Sequence, residues 1–164
     1  MTLRIHDTLS REKVDFVAHD AGHVRIYVCG PTVYDYAHIG NFRQFVMADL
    51  LKRYLRYRGF GVYHVMNITD VEDRIIARVG AEGESIEELT GRYTELFFED
   101  VRRLNIVPAD VYPRATDHVE EMTQLIQALM EKGLAYESNG SVYFRIGEFP
   151  AYGEFARLDP AGMR

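Results

Sequence analysis

The stretch Val24-Arg25-Ile26-Tyr27-Val28-Cys29-Gly30-Pro31-Thr32-Val33-Tyr34-Asp35-Tyr36-Ala37-His38-Ile39-Gly40-Asn41 decides how the rest of the chain is read. Its short β-branched, apolar opening over 24–29 predicts a buried core strand. Gly30-Pro31 ends that strand, because proline has no N–H for a ladder and turns its neighbour to an extended conformation. His38-Ile39-Gly40-Asn41 then leads into 42–58, a segment of helical periodicity. A strand, a donor-rich turn and a helix N-terminus suit an anion, since the first helical N–H groups are unpaired and sit at the positive end of the dipole. His38 and Asn41, at the helix entry, can both point at a phosphate, and Gly40 removes a side chain where a flat base would approach. An ordinary βα junction has the same outline, so these residues taken alone leave both readings open.

Working outward, Phe42, Val46, Leu50 and Tyr54 recur every four residues, with Phe45 and Leu51 beside them, which predicts an amphipathic helix laid on a sheet. Lys52, Arg53, Arg56 and Arg58 follow towards its end, where cations complement the dipole. They read as a solvated helix end rather than as an RNA contact. Gly59 stops the helix, and 62–68 returns as a second strand, completing a right-handed parallel βαβ unit. Ligands of such sheets sit beyond the carboxyl ends of the strands, which brings Cys29 and Asn67-Ile68-Thr69-Asp70 to one crevice. His64 reads as a satisfied core group or a surface one. Further on come a short helix over 72–79, a break over 80–83, and a long helix over 86–104 with Ser85 and Glu88 as capping box. A third parallel strand is expected over 111–115, then a helix over 119–132. Asn139-Gly140 between apolar runs predicts a hairpin. The first residues, 3–7 and 13–17, form another hairpin or two extended pieces, and 147–164 is expected to be poorly ordered.

The 164 residues suffice for a domain with a proper core. No apolar run approaches the roughly 20 residues that span a bilayer, and the N-terminus carries no signal-peptide core, so no membrane partner is expected. One cysteine makes no internal disulfide, in keeping with a cytoplasmic location. The net charge of −6 argues against binding DNA, or RNA, by bulk electrostatics.

The quoted stretch resembles the class I aminoacyl-tRNA synthetases in the form found in cysteinyl-tRNA synthetases. His38-Ile39-Gly40-Asn41 is similar to the HIGH motif with Asn in last place. Asn67-Ile68-Thr69-Asp70-Val71-Glu72-Asp73-Arg74-Ile75-Ile76 resembles the NITDVDDKII stretch, and Pro113-Arg114-Ala115-Thr116-Asp117-His118 resembles PRATEHI. The resemblance implies a Rossmann-like α/β half-domain with a parallel three-stranded core over 1–115. The start of a connective insertion, a helix and a β-hairpin, would follow over 116–164.

By the same resemblance, ATP with Mg2+ activates L-cysteine as cysteinyl-adenylate, and the cysteine passes to tRNA(Cys). His38 and Asn41 would act on the phosphates as catalytic and ATP-binding residues, Gly40 would pack under the adenine, and Thr32 would contact the substrate cysteine. Cys29, which taken blind is a small buried hydrophobe, would supply one ligand to a Zn2+ that holds the substrate thiolate. The other ligands, and the KMSKS-like segment missing here, would lie beyond residue 164, so the chain is expected to be an N-terminal portion that is inactive alone. Two alternatives stand beside this reading. One is the related ligase that joins cysteine to an amino-sugar in mycothiol synthesis, although its loop and HLGH motif differ from Thr32-Val33-Tyr34-Asp35 and HIGN. The other is a non-catalytic, truncated paralogue serving as a binding module. Asp70 and Asp73 read more simply as the acidic start of a helix than as a catalytic pair.

Overall fold

The computed structural model describes residues 2–158. Its centre is a parallel pair, β3 (His23–Val28) and β4 (Gly61–Met66), joined through helix α1 (Ile39–Tyr57). These follow two short antiparallel strands, β1 (Arg4–His6) and β2 (Lys13–Asp15). The register runs from Val24 opposite Val62 to Val28 opposite Met66. The expected third strand does run parallel to β4, as the residues after Asp110 bridge Val65 to Val111 and Ile68 to Arg114. It forms no continuous ladder, because Pro113 has no N–H to give; its carbonyl instead accepts from Ile68 N at 2.8 Å.

Behind the sheet lie α2 (Asp73–Glu82) and α3 (Ile86–Arg103). The short helix runs through Gly80, where a break was expected, and stops at Gly83, whose φ of 71° is the left-handed value a helix end needs. The long one starts as the sequence predicts, with Ser85 and Glu88 capping each other at 3.0 and 3.1 Å. Its four-residue row Leu89, Tyr93, Phe97, Val101 meets Phe42 and Phe45 of α1 and Met66 and Ile68 of the sheet. Phe97 stacks on Phe42 at 6.0 Å and meets Phe45 edge-on at 5.2 Å.

The face that α1 buries differs from the expected one. Phe42, Phe45, Lys52 and Leu55 are buried, whereas Val46 and Leu50 are exposed. Lys52, read from sequence as part of a solvated helix end, is 1 % exposed. Its ammonium donates to Pro108 O at 2.7 Å and to Asp110 Oδ2 at 3.3 Å, so the loop before the third segment draws it inward. His64 is also buried, on the β4 face shared with Met66 and Ile68, but neither ring nitrogen has a hydrogen-bond partner among the described residues. It is a core residue without being a satisfied one.

Cα packing groups Ala18–Val119 as one unit and Met1–Val17 with Glu120–Arg164 as another. In the second unit, α4 (Val119–Glu131) precedes a hairpin of β5 (Ala135–Ser138) and β6 (Ser141–Phe144), turned by Asn139-Gly140 with both φ values positive. Arg11 reaches Ala156 O at 2.6 Å, tying the first hairpin to the far end of the chain. The stretch expected to be poorly ordered continues through turns to Leu158, and 159–164 lies outside the described residues.

Candidate functional site

Beyond the carboxyl ends of β3 and β4 the chain is stitched together for several more residues. Thr69 N donates to Pro31 O at 3.0 Å and Val33 N to Thr69 O at 3.1 Å, so Thr32 bridges Thr69 in parallel. Asn67 is the clamp of this region. Its Oδ1 accepts from Gly30 N at 2.9 Å and from the Tyr27 hydroxyl at 3.0 Å, while its Nδ2 donates to Thr69 Oγ1 at 3.0 Å. A Cβ on Gly30 would lie 1.6 Å from Asn67 O, so no other residue fits at this crossing. Gln44, one turn into α1, donates to Cys29 O at 2.7 Å. Neither Asn67 nor Gln44 was given a role from sequence; a glycine at the end of a strand was the available signal of a close approach.

The loop then closes over a cavity of about 280 Å³ lined by Thr32, Tyr34, His38, Asn41, Gln44 and Arg74, among others. Arg78 holds the loop from α2, donating to Tyr34 O at 2.5 Å and to the Tyr93 hydroxyl at 2.9 Å. Tyr36 rests edge-on against Tyr93 at 5.4 Å.

His38 is the N-cap of α1, and with Asn41 it forms a reciprocal capping box. Gly40 N donates to His38 Nδ1 at 3.0 Å, and His38 N donates to Asn41 Oδ1 at 3.0 Å. Both donors are backbone N–H groups, which settles two assignments at once. In a neutral His38 ring the proton sits on Nε2, and the Asn41 amide points its NH2 away from the cap. The box thus uses the single lone pair of His38 Nδ1 and turns Asn41 Oδ1 towards the cap, leaving each side chain with a donor. Two side chains that each turn a donor away from the cap, at the positive end of a 19-residue helix, favour an anion.

Gly40 serves this arrangement directly: a Cβ there would stand 2.8 Å from His38 Cε1 and 2.9 Å from Nδ1, displacing the ring from its cap. Gly40 is not among the cavity-lining residues, and neither is Cys29, which is exposed at the strand end with Sγ 3.9 Å from Gly30 O. Asp70 is buried and committed, accepting from Arg114 Nε at 3.1 Å, Thr116 N at 3.0 Å and Thr116 Oγ1 at 2.7 Å. It anchors the third segment to the end of β4. Asp73 is exposed in the first turn of α2.

Residues 15–162 match the family described as tRNA synthetases class I (C) catalytic domain. The chain belongs to that family. It is 46 % identical over 164 residues to a cysteine–tRNA ligase of Pyrococcus horikoshii, covering all of this chain and 34 % of the relative. Against the cysteine–tRNA ligase of Lysinibacillus sphaericus the identity is 47 % over 156 residues, covering 95 % of this chain and 34 % of the relative. The chain therefore spans about a third of the length of these class I relatives. Among solved structures, methionyl-tRNA synthetase of Mycobacterium tuberculosis in complex with methionyl-adenylate aligns with a TM-score of 0.59. That alignment covers 68 % of this chain and 23 % of the other at 22 % identity, and it shows the fold: the Rossmann-like catalytic domain of a class I synthetase.

Among the described residues no group of three or more His, Cys, Asp or Glu is gathered as a metal ion requires. One exposed thiol does not make a zinc site. The described residues do not fit a zinc ion by themselves.

Proposed function

We propose that this chain is the nucleotide- and cysteine-binding part of a cysteine–tRNA ligase. Residues 1–115 would form the nucleotide-binding half and 116–164 the start of the connective insertion. The capping box carries the reading, because it leaves two side-chain donors for a phosphate. The reaction joins the carboxylate of L-cysteine to the α-phosphorus of ATP, which enters with Mg2+; the bond to pyrophosphate breaks, leaving cysteinyl-adenylate. Transfer of the cysteinyl group to the terminal ribose of tRNA(Cys) follows.

Such chemistry is mostly positioning and charge stabilisation. The His38 Nε2–H and the Asn41 amide would hold phosphate oxygens as their charge shifts. Gly40 contributes by leaving room for the His38 ring. Thr32, which lines the cavity and is stitched to Thr69, would meet the amino acid, a reading its position in the cavity supports. Cys29 would be one ligand of a zinc site completed by residues other than these. The exposed thiol and the substrates are in keeping with a cytoplasmic protein.

The test is ATP–pyrophosphate exchange by a polypeptide that carries this sequence at the length of its relatives. Exchange that depends on cysteine and is not supported by serine, with charging of tRNA(Cys), is the expected result. Exchange without charging, accompanied by transfer of cysteine to an amino-sugar, would favour the mycothiol-type ligase. No exchange with any amino acid would leave a binding module.

A further inference from the structure

Arg74 violates a local rule. It is a cation in the first turn of α2, where the helix dipole disfavours positive charge, and its helix has no side-chain cap. Side chains that break such rules are held in place by something else. Here the Tyr34 ring lies 5.1 Å from the guanidinium carbon, the Tyr34 hydroxyl accepts from Nη1 at 3.3 Å, and Glu72 Oε1 stands 2.8 Å from Nε. That carboxylate oxygen is close enough to pair electrostatically but lacks hydrogen-bond geometry. The side chain is thus fixed along one edge and one face, while Nη2 has no hydrogen-bond partner among the described residues. It lines the same cavity as His38 and Asn41.

The charge balance of that cavity makes the position informative. Among its lining residues Asp35 is the acid and Arg74 the permanently charged base, the remaining polar groups being neutral or, for His38, held as an acceptor at Nδ1 by the cap. A polyphosphate carries several negative charges, and two neutral donors alone do not offset them. We propose that Arg74 is an anion-binding residue of this cavity, its free guanidinium edge taking the polyphosphate of a nucleoside triphosphate alongside His38 and Asn41. The inference rests on the nucleotide reading above and adds to it a residue from a second helix. Arginine suits the task because its planar fork can hold two phosphate oxygens at once.

The experiment titrates the protein with ATP and with adenosine, for the natural chain, Arg74→Gln and Arg74→Lys, with thermal melting of each. The natural chain should bind ATP more tightly than adenosine. Arg74→Gln should lower ATP affinity by about 10- to 100-fold, the weight of a charge-assisted hydrogen bond, and leave adenosine affinity and melting unchanged. Arg74→Lys should fall between the two, keeping the charge and losing the fork. Undiminished ATP affinity in Arg74→Gln overturns the inference and leaves the functional reading intact. Equal losses for ATP and adenosine would make Arg74 a structural support and also overturn it. A natural chain that binds neither ligand, or both equally, overturns this inference and the nucleotide reading together.

Discussion

His38 and His64 belong to one βαβ unit and are used in opposite ways. His38 is exposed at a helix entry, with one ring nitrogen committed to its own backbone and the other free to donate. His64 is buried in the sheet, and neither ring nitrogen has a partner among the described residues. Around His64 the polar work is done by its neighbours: its backbone N donates to Asp110 Oδ2 at 2.7 Å, and the same carboxylate receives the buried Lys52 ammonium. Burial pushes the His64 imidazole below its usual range, and Lys52 nearby pushes it the same way. Burial also lowers Lys52, with Asp110 opposing. The Asp110 carboxyl is held below its usual range, first by the His64 N–H. A histidine in a nucleotide-binding fold therefore says little until the fate of each nitrogen is known. Where the backbone consumes an acceptor, a directed donor results; where nothing consumes it, the ring is a hydrophobe with a titration penalty.

The largest expected effect lies at the buried end. Lys52→Ala should lower the unfolding free energy by about 3 kcal/mol, because it removes the ammonium from Asp110 and the Pro108 carbonyl and also empties the space its buried stem fills. Lys52→Met, which keeps the stem, should cost about 1 kcal/mol. Urea unfolding of both variants checks this. Equal costs would show that the lost ammonium accounts for the whole effect and that the buried stem contributes nothing.

At the open end, Asn41→Asp separates cap from donor. The Asp carboxylate can still accept from His38 N, so stability should stay within about 0.5 kcal/mol. ATP affinity should fall about 30-fold, since a donor is lost and a negative charge is put beside the phosphates. An unfolding and a binding measurement on the same variant would expose either half as wrong.

The two ends also differ in how far the sequence announced them. The strand, the turn and the helix start around His38 are local features, written in Gly30-Pro31 and in the spacing of His38 and Asn41, and they were legible. The direction of each donor was not, because it depends on which backbone N–H meets which side-chain atom. The Lys52 site was misread for a different reason. Four-residue periodicity picks out Phe42, Val46, Leu50 and Tyr54, but the buried face is set by partners more than fifty residues away at Pro108 and Asp110. Pro113 likewise hid how the third segment pairs, since it interrupts the ladder and leaves the parallel alignment in place. Asn67 was visible as part of a motif, while its clamp on Gly30 and Tyr27 exists only once both strands have been laid side by side.

A smaller, pH-dependent effect sharpens the contrast. The folded-state pKa of His64 lies below its unfolded value, so between the two the unfolded chain binds more protons. Stability should be at its full value above about pH 6.5 and fall as the pH drops from there towards the folded pKa, by at most about 1.4 kcal/mol per pH unit. The charged groups acting on the ring are Lys52, Asp110, Arg56 and Asp49. His64→Phe should flatten this part of the profile when unfolding free energies are measured from about pH 7 downward. A profile as steep as the natural one would place the missing proton elsewhere.

The capping box makes donors of the His38 ring and the Asn41 amide at the mouth of the cavity. The most direct test is a long-range 1H–15N correlation spectrum of the His38 ring in the folded protein. The structure requires the proton on Nε2, with Nδ1 resonating as a bare, hydrogen-bonded nitrogen. A spectrum showing the proton on Nδ1 would mean that the ring does not cap α1, and that His38 offers a phosphate a lone pair where the account needs a donor.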